Sequence, residues 1–297
     1  MSWEYRVDRI NKIVEHWNFK KEHNLMASFA LSENIFLNFK RSVKNYISKA
    51  MGFDYVDDDL LFLETLENSK ENRKNVTPNG AVVPKREYHL EYNIILRDWA
   101  NIIRNITNNN PKFLKRFRIT PNIRIKYGNE LKDNIDRPLN TALPHSDAWV
   151  EGPWGMNCYV PLMGDTDNNT LMYYEPKEFK EEFLITAKTY TEMQWVMDFY
   201  KPIEFTPQKG KIYVSDYALI HNTNRKPNCR TRISIDTTIF IGEHDPHPDR
   251  LKEYRNEIPF VGENELIDAG QYENQKFAEK SSVFSHYTSK VMKTVKF

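Results

Sequence analysis

The stretch KGKIYVSDYALIH, residues 209–221, passes from a glycine turn through a short apolar strand and an acidic turn to a histidine. Gly210 favours a turn, and residues 212–214 favour a strand because their side chains are β-branched or aromatic. His221 follows at the end of a second apolar run. The stretch therefore predicts two short strands joined by a turn, with a histidine near the end of the second strand.

Further strand-like segments lie on both sides of this stretch, separated by glycine, proline and aspartate turn residues. The whole series comprises residues 122–127, 145–150, 156–162, 170–174, 211–215, 219–222 and 231–241. Short strands at such spacing predict a sandwich or a barrel. Residues 177–200 interrupt the series, and this insertion predicts a helix or a lid over the barrel mouth.

The N-terminal part of the chain has helical spacing instead. Residues 7 to about 50 and residues 87–107 carry apolar side chains at helical intervals, and the Asn-Asn-Asn-Pro run at 108–111 ends the second stretch. Residues 70–84 are polar with proline and glycine, and they predict a loop. The mixed, polar tail from about residue 253 to residue 297 predicts one or two short helices.

These patterns together predict one domain of the α+β class over residues 1–297. Residues 1–120 would form a mainly helical buttress, and residues 121–242 would form the barrel core with its insertion at about 177–200. Residues 243–297 would form a C-terminal extension. A chain of this length buries a core large enough to fold without disulfides.

Composition narrows the set of partners. The 42 basic and 41 acidic residues leave a formal net charge of +1, which gives no electrostatic reason to expect nucleic acid or an anionic membrane as a partner. We see no signal-peptide core at the N-terminus and no apolar run long enough to span a membrane. Only Cys158 and Cys229 occur, which fits a reducing compartment. We therefore expect a cytoplasmic protein with neither nucleic acid nor a membrane as a partner, in an oligomeric state that the sequence does not define.

His145, Asp147 and His221 form a candidate metal site. Alternate residues of a strand point to the same side, so His145 and Asp147 would face one way with Ser146 turned away. Closing a barrel would bring His221 to meet them from a distant strand. Two imidazoles and one carboxylate on one face of a metal leave the opposite face open, which is typical of non-heme Fe(II) oxygenases. The His-X-Asp motif alone is weak, and its alternative is a surface or core histidine.

Four ordered blocks resemble the 2-oxoglutarate/Fe(II) oxygenases, and most of all their phytanoyl-CoA-dioxygenase-like and antibiotic-biosynthesis branches. The blocks are His145-Ser146-Asp147, Tyr159-Val160-Pro161-Leu162 with Asn169-Thr170-Leu171-Met172-Tyr173-Tyr174-Glu175-Pro176, the stretch 209–221, and Arg232-Ile233-Ser234. The resemblance covers about residues 120–242. It implies a double-stranded β-helix, that is, a jelly-roll or cupin-like barrel, flanked by the N-terminal helices.

The resemblance also implies a cosubstrate site. Arg232 lies eleven residues beyond His221, as the oxoglutarate-binding arginine of the family does, and its planar fork suits a carboxylate. Ser234 would share its face of the strand and cap the same carboxylate. Arg230 is the alternative in register, and a water-exposed edge strand is the structural alternative for the whole segment. Further candidates for contact with the cosubstrate are Tyr127, Asn157 and Tyr159.

The candidates for the substrate site are Trp149, Trp154, Arg124 and Arg137. The two tryptophans flank the metal motif and would line the substrate mouth, although core or rim packing is the commoner role of large aromatic residues. Arg137 lies in the loop before His145 and would pair with an anionic substrate, whereas a structural role is the alternative for Arg124. His244 and His247 look like a metal cluster, but a solvated loop is the better interpretation of that segment.

The family resemblance implies an enzyme that binds Fe(II), uses 2-oxoglutarate and O2, and releases succinate and carbon dioxide. The carboxylate of Asp147, which the family's halogenases lack, favours hydroxylation of a small metabolite. The residues leave two alternatives open: a non-catalytic cupin-like barrel that binds a ligand, and a metal dioxygenase that does not use 2-oxoglutarate. The second alternative would leave Arg232 without a carboxylate partner.

Overall fold

The computed structural model describes residues 2–69, 76–82, 88–107, 113–118, 121–128, 139–242 and 244, with short segments beyond residue 259. Its α-helices are α1 (Trp3–Trp17), α2 (Glu33–Met51), α3 (Asp59–Asn68), α4 (His89–Ile106) and α5 (Ala148–Glu151). Its strands are β1 (Lys20–His23), β2 (Met26–Ala30), β3 (Leu114–Arg118), β4 (Asn122–Lys126), β5 (Met156–Gly164), β6 (Asn169–Pro176), β7 (Tyr200–Ile203), β8 (Lys211–Asp216), β9 (Ile220–Arg225), β10 (Arg232–Ile241), β11 (Phe260–Gly262), β12 (Glu265–Ile267), β13 (Gln275–Lys276), β14 (Thr288–Ser289) and β15 (Thr294–Lys296). Within the described residues, none of the helices has the length and apolar character needed to cross a bilayer.

The prediction of helical structure from residue 7 to about residue 50 is wrong in the middle of this range, where the structure has two strands. α1 begins at the Ser2 cap and ends at Asn18, whose positive φ of 56° stops the helix. A hairpin of β1 and β2 follows, and α2 then begins at the Ser32 cap. Residues 26–30 form a strand because β2 pairs along its whole length with β8, a long-range interaction that local helical spacing does not reveal.

Two antiparallel sheets form the β-rich part of the chain. In the described residues the larger sheet has eight strands in the order β1-β2-β8-β5-β10-β3-β11, and β4 also pairs with β10. The second sheet has the order β7-β6-β9. The chain passes repeatedly between them, from β4 in the larger sheet to the bridge of His145 with β9, then to β5, then to β6 and β7, then to β8, β9 and β10.

The space between the two sheets is filled by aromatic and polar side chains. Tyr159 and Tyr213 of the larger sheet pack in one cluster with Leu171 and Tyr173 of the smaller sheet. We call this space the inter-sheet core. Because strand side chains alternate, every second residue of β5, β8 and β10 points into it. It therefore holds the residues from which a site can be built.

The opposite face of the larger sheet packs against the helices. Ile233 and Ile235 of β10 join Phe39 of α2 and Trp99 of α4 in the largest apolar cluster, and all four are completely buried. Each isoleucine buried in this way contributes roughly 1.5–3 kcal/mol. β10 thus directs its isoleucines at the helices and leaves Arg232 for the inter-sheet core, which confirms the predicted division of its two faces.

Four further segments can be compared with the prediction. The predicted strand at residues 145–150 is reduced to the bridge of His145 with His221, and residues 148–151 form α5. The insertion contains two 3-10 helices, Glu181–Leu184 and Thr191–Phe199. Beyond residue 259 the described segments are the short strands β11 to β15, where helices were predicted. The long predicted helix at residues 87–107 is confirmed as α4.

Candidate metal centre

His145 and His221 lie directly opposite each other. The backbone N–H of each donates to the carbonyl of the other, at 2.9 and 3.0 Å, and the two ring centroids are 4.5 Å apart. This reciprocal pair connects the segment before α5 to β9 of the smaller sheet. Backbone hydrogen bonds alone therefore hold the two imidazoles side by side.

Asp147 joins the two histidines through a turn rather than along a strand. Its backbone is in the right-handed helical region, and α5 begins at the next residue. The Ser146 hydroxyl accepts from the Ala148 N–H and donates to the Tyr217 carbonyl at 2.7 Å, which fixes this turn against the loop that leads to His221. Ser146 is thus turned away from the candidate metal site, as predicted. The predicted cause, alternation of side chains along a strand, was wrong, because the residues form a turn.

The three predicted ligands converge. One donor atom from each of His145, Asp147 and His221 lies within 4.8 Å of the other two. The Nδ1 atom of His145 is 2.8 Å from the Leu143 carbonyl, so a proton on Nδ1 is satisfied there and Nε2 is left as the donor to a metal. The Asn157 amide donates to the second carboxylate oxygen of Asp147 at 2.9 Å. The arrangement suits a divalent ion with nitrogen and oxygen ligands.

Burial sets the charge of these groups. Burial, and then the neighbouring His221, hold the pKa of His145 well below its usual range, so the imidazole is in the neutral form that binds metals. Burial raises the pKa of Asp147, and the nearby Glu151 carboxylate raises it further. A divalent cation would supply the positive charge that favours an ionised carboxylate at this position.

Arg232 and Ser234 face the same inter-sheet core, with 2% and 0% of their surfaces exposed. One terminal nitrogen of Arg232 donates to the Tyr159 hydroxyl at 2.9 Å. Among the described residues, the Arg232 Nε finds no hydrogen-bond partner, and the Ser234 hydroxyl finds none beyond its interaction with the neighbouring Tyr159 hydroxyl. A buried guanidinium without a carboxylate is costly, so these atoms fit an anionic group that supplies the missing acceptor.

Two tyrosines near this site were not predicted. Tyr173 lies opposite His221 in the β6–β9 ladder, is buried, and has a hydroxyl without a partner among the described residues. Its position on the inner face of β6 could have been inferred from strand alternation with Leu171. Tyr190 stacks on His145 with ring centroids 4.4 Å apart. No local sequence signal identifies Tyr190, because it lies in an irregular part of the insertion.

Three of the residues predicted to contact the cosubstrate have other positions or partners. Tyr127 packs in the cluster between the larger sheet and the helices, on the face of the sheet opposite Arg232. Asn157 lies beside Asp147 and its amide is used there. Arg230 pairs with Glu67 at 3.4 Å and is 56% exposed, so it is not the buried arginine.

The two tryptophans are packed rather than placed at an open mouth. Trp149 is completely buried and its ring N–H donates to the Phe183 carbonyl at 2.7 Å, so it anchors the insertion to α5. The ring of Trp154 stacks on His244 at a centroid distance of 3.7 Å, and both side chains remain partly exposed. Arg137 and His247 lie outside the described residues.

Arg124 does lie near the metal ligands, but it already has an anionic partner. Its Nε and one terminal nitrogen bind the two carboxylate oxygens of Asp236, at 2.5 and 2.9 Å. Burial alone would lower the pKa of Arg124, yet Asp236 raises it above its usual value. The pair is formed across the β4–β10 ladder, on the face that carries Ser234.

Comparison with known proteins gives structural neighbours only. No family model matches the sequence, and no curated protein matches it significantly. Among solved structures, AviO1 from Streptomyces viridochromogenes Tue57 shares 15% identity at a TM-score of 0.44, over 82% of this chain and 99% of its own. EctD from S. alaskensis, solved with 2-oxoglutarate and 5-hydroxyectoine, shares 11% sequence identity at a TM-score of 0.43, and the match covers 81% of this chain and 76% of EctD. SnoK from nogalamycin biosynthesis shares 11% sequence identity at a TM-score of 0.42, and the match covers 81% of this chain and 84% of SnoK. SnoK is described as a non-heme alpha ketoglutarate dependent carbocyclase.

Proposed function

We propose that this protein is an Fe(II)- and 2-oxoglutarate-dependent oxygenase that hydroxylates a small-molecule metabolite and releases succinate and carbon dioxide. One observation carries the proposal. His145, Asp147 and His221 place two nitrogens and one carboxylate oxygen within 4.8 Å of one another, and the same inter-sheet core holds a buried Arg232 whose Nε lacks a partner among the described residues. A metal ion and a carboxylate together satisfy both features.

The proposed fold is a double-stranded β-helix of the jelly-roll type, in a single oxygenase domain over residues 1–297. The passage of the chain between two antiparallel sheets supports it, because a jelly roll is built from two such sheets. Residues 1–120 would serve mainly as a helical buttress and residues 121–242 as the barrel. The shared apolar cluster of α2, α4 and β10 supports the role of the helices.

His145, Asp147 and His221 would hold the iron, and Arg232 with Ser234 and Tyr159 would hold the distal carboxylate of 2-oxoglutarate. When bound, iron with 2-oxoglutarate and dioxygen supplies an oxidant for a substrate C–H bond while 2-oxoglutarate becomes succinate. The chain orients these groups and excludes water by burying the ligands between two sheets. The carboxylate of Asp147 favours hydroxylation over halogenation.

The test measures 2-oxoglutarate binding directly. Calorimetry under anaerobic conditions with Fe(II) should show one 2-oxoglutarate bound per chain, and the melting temperature should rise when both are present. Arg232→Met should weaken this binding by about 100-fold, equivalent to about 2.7 kcal/mol, because the carboxylate loses its charged partner. Arg230→Met is the matched control, since Arg230 pairs with Glu67 outside the inter-sheet core, and it should bind as the wild type does.

The same experiment separates the alternatives. A non-catalytic barrel would yield no succinate with any substrate, and a metal dioxygenase of another kind would bind Fe(II) without 2-oxoglutarate. If 2-oxoglutarate does not bind the Fe(II)-loaded protein at all, the proposed function is wrong. If it binds but Arg232→Met binds equally well, the assignment of the carboxylate site is wrong.

A further inference from the structure

The Arg124–Asp236 ion pair belongs neither to the proposed metal ligands nor to the proposed carboxylate site. Arg124 lies beside Ser234 in the β4–β10 ladder, and Asp236 lies two residues further along the same face of β10. Asp236 also lies opposite Tyr159 in the β10–β5 ladder. The pair is therefore adjacent to the residues proposed to hold 2-oxoglutarate, on the same wall of the inter-sheet core.

The pair also lies close to Asp147, one of the proposed metal ligands. Asn157, whose amide binds Asp147, lies opposite Thr238 in the β10–β5 ladder, and Thr238 lies two residues beyond Asp236 on the same face of β10. Arg124 and Asp147 also interact electrostatically. The ion pair and the proposed metal site are therefore neighbours in the inter-sheet core.

Both members of the pair retain contact with solvent. The Arg124 side chain is 20% exposed and the Asp236 side chain 18% exposed, whereas Arg232 is 2% exposed. In addition, the Asn79 carbonyl accepts from Arg124 at 3.2 Å, and the Asn122 amide donates to Asp236 at 2.8 Å. Both charges therefore remain partly accessible from solvent.

We propose that Arg124 and Asp236 together bind a zwitterionic substrate of the amino-acid class, with its carboxylate on Arg124 and its ammonium group on Asp236. This inference rests on the proposed function and names the substrate class of that site. A purely anionic ligand would have to displace Asp236 and leave that carboxylate unpaired, which is costly in a partly buried site. A ligand that carries both charges gives each member of the pair a new partner, so the charges remain balanced.

The alternative is that the pair only joins β4 to β10. A structural role predicts that loss of either residue lowers stability without changing ligand affinity. It also predicts that a charge-reversed pair restores stability and leaves ligand binding as it was. A binding role predicts that the reversed pair restores stability but not binding, because the substrate's two charges then meet the wrong partners.

The experiment begins with protein loaded with Fe(II) and 2-oxoglutarate under anaerobic conditions, so that failure to load tests the proposed function separately. The probes are the twenty protein L-amino acids, each accompanied by the amine that lacks its carboxylate and the acid that lacks its amino group. Binding is measured by calorimetry and by the change in the visible absorption of the loaded iron. At least one amino acid should bind at least tenfold more tightly than either of its two analogues.

Variants then assign the binding to the pair. Arg124→Met, Asp236→Asn and the double variant R124D/D236R should each weaken binding of that amino acid by at least tenfold. Their affinity for 2-oxoglutarate should change by less than about twofold. Arg230→Met should bind the amino acid as the wild type does, since its partner Glu67 lies outside the inter-sheet core.

Three outcomes overturn the inference. One is that no amino acid binds the loaded protein, and another is that an amine or acid analogue binds as tightly as its parent. The third is that the charge-reversed variant is folded and binds the amino acid normally, which leaves the pair a purely structural role. Circular dichroism shows whether the three variants are folded. If none of them folds, the inference is tested by the wild-type protein alone, through its affinities for each amino acid and for the two analogues of that amino acid.

Discussion

Asn157 orients the carboxylate of the proposed metal site. Its side-chain amide donates to one oxygen of Asp147 at 2.9 Å, which leaves the other oxygen free to point at a metal. Outer hydrogen bonds of this kind hold ligands in the geometry that a metal requires. Asn157→Ala should therefore weaken binding of Fe(II) or Co(II) by about 10- to 100-fold, as measured by competition with a chelator of known affinity.

Asn168 provides the control for this substitution. It also donates a side-chain hydrogen bond to an aspartate, Asp165, but on an exposed turn. Asn168→Ala should leave the metal affinity unchanged. If both variants bind metal as the wild type does, the hydrogen bond from Asn157 does not position Asp147.

Residue types predicted which side chains form the candidate metal site, but not the backbone geometry that positions them. His145, Asp147 and His221 do lie close together, and they could be chosen from the sequence because ligand chemistry favours histidines and carboxylates. The turn at Asp147 was not predicted, since its helical backbone depends on Ser146 binding the Tyr217 carbonyl, 71 residues away. Tyr190 escaped prediction for a similar reason, because only tertiary packing brings it onto His145.

Among the helices and strands, α1 fixes the turn that precedes His221, one of the proposed metal ligands. Arg6 and Arg9 of α1 both bind the carboxylate of Asp216, at 2.7 and 3.1 Å, and this carboxylate also accepts from the Ala218 N–H. All three charged side chains are at most 3% exposed. Asp216→Asn would leave two guanidinium groups buried without an anion, so it should cost about 3–5 kcal/mol in the free energy of unfolding. Urea denaturation measures this loss.

A second ion pair on α1 gives the matched comparison. Asp8 and Lys12 pair at 2.9 Å one helical turn apart, and both are about half exposed. Asp8→Asn should change the free energy of unfolding by less than about 0.5 kcal/mol, because exposed pairs contribute little. An equal effect of Asp8→Asn and Asp216→Asn would contradict the role given to the buried cluster.

The contact between α2 and α3 should depend on pH. Asp59 of α3 binds Lys40 at 2.6 Å and the buried Lys44 at 2.9 Å, both on α2. Burial alone would raise the pKa of Asp59, but the hydrogen bonds from the two lysines lower it below its usual value. A lowered pKa in the folded state means that the stabilisation is present above the unfolded pKa of about 3.9 and is lost as the pH falls through the folded value.

Asp59→Asn tests this dependence. The variant should be about 1–2 kcal/mol less stable than the wild type at pH 7, between the values for exposed and buried pairs, because Asp59 is 42% exposed whereas Lys44 is buried. The difference should shrink as the pH falls below about 4. Urea denaturation at pH 7, 5, 4 and 3 measures it, and a difference that is constant across this range would show that the charge of Asp59 is not responsible.

Periodicity predicted α4 and the main strands well, since each carries an apolar pattern of its own. It failed at β1 and β2, because a strand of five residues is stabilised by its pairing with β8 rather than by any local preference. It also failed at α5, where four residues are too few to show a helical period.

At the scale of the whole molecule, helices and sheets share one core. The largest apolar cluster includes Phe39 of α2, Trp99 of α4, Val214 of β8 and Ile233 of β10, so neither layer can lose its structure without exposing the other. The proposed single domain should therefore unfold in one cooperative transition, in which the calorimetric and van't Hoff enthalpies agree. Circular dichroism, which follows the helices, should report the same midpoint as tryptophan fluorescence.

Metal binding provides a sharper form of this prediction. Only the segment from His145 to His221 holds the three proposed ligands, and α2 and α4 contribute none. If the two layers unfold together, a metal at 100 times its Kd should add about 2.7 kcal/mol to the unfolding free energy of the entire chain, and the helical signal should shift with the rest. A chelator should reverse the shift. Two transitions, of which only one responds to metal, would mean that the N-terminal helices form a separate domain, because a shared core cannot transmit stabilisation to one layer alone.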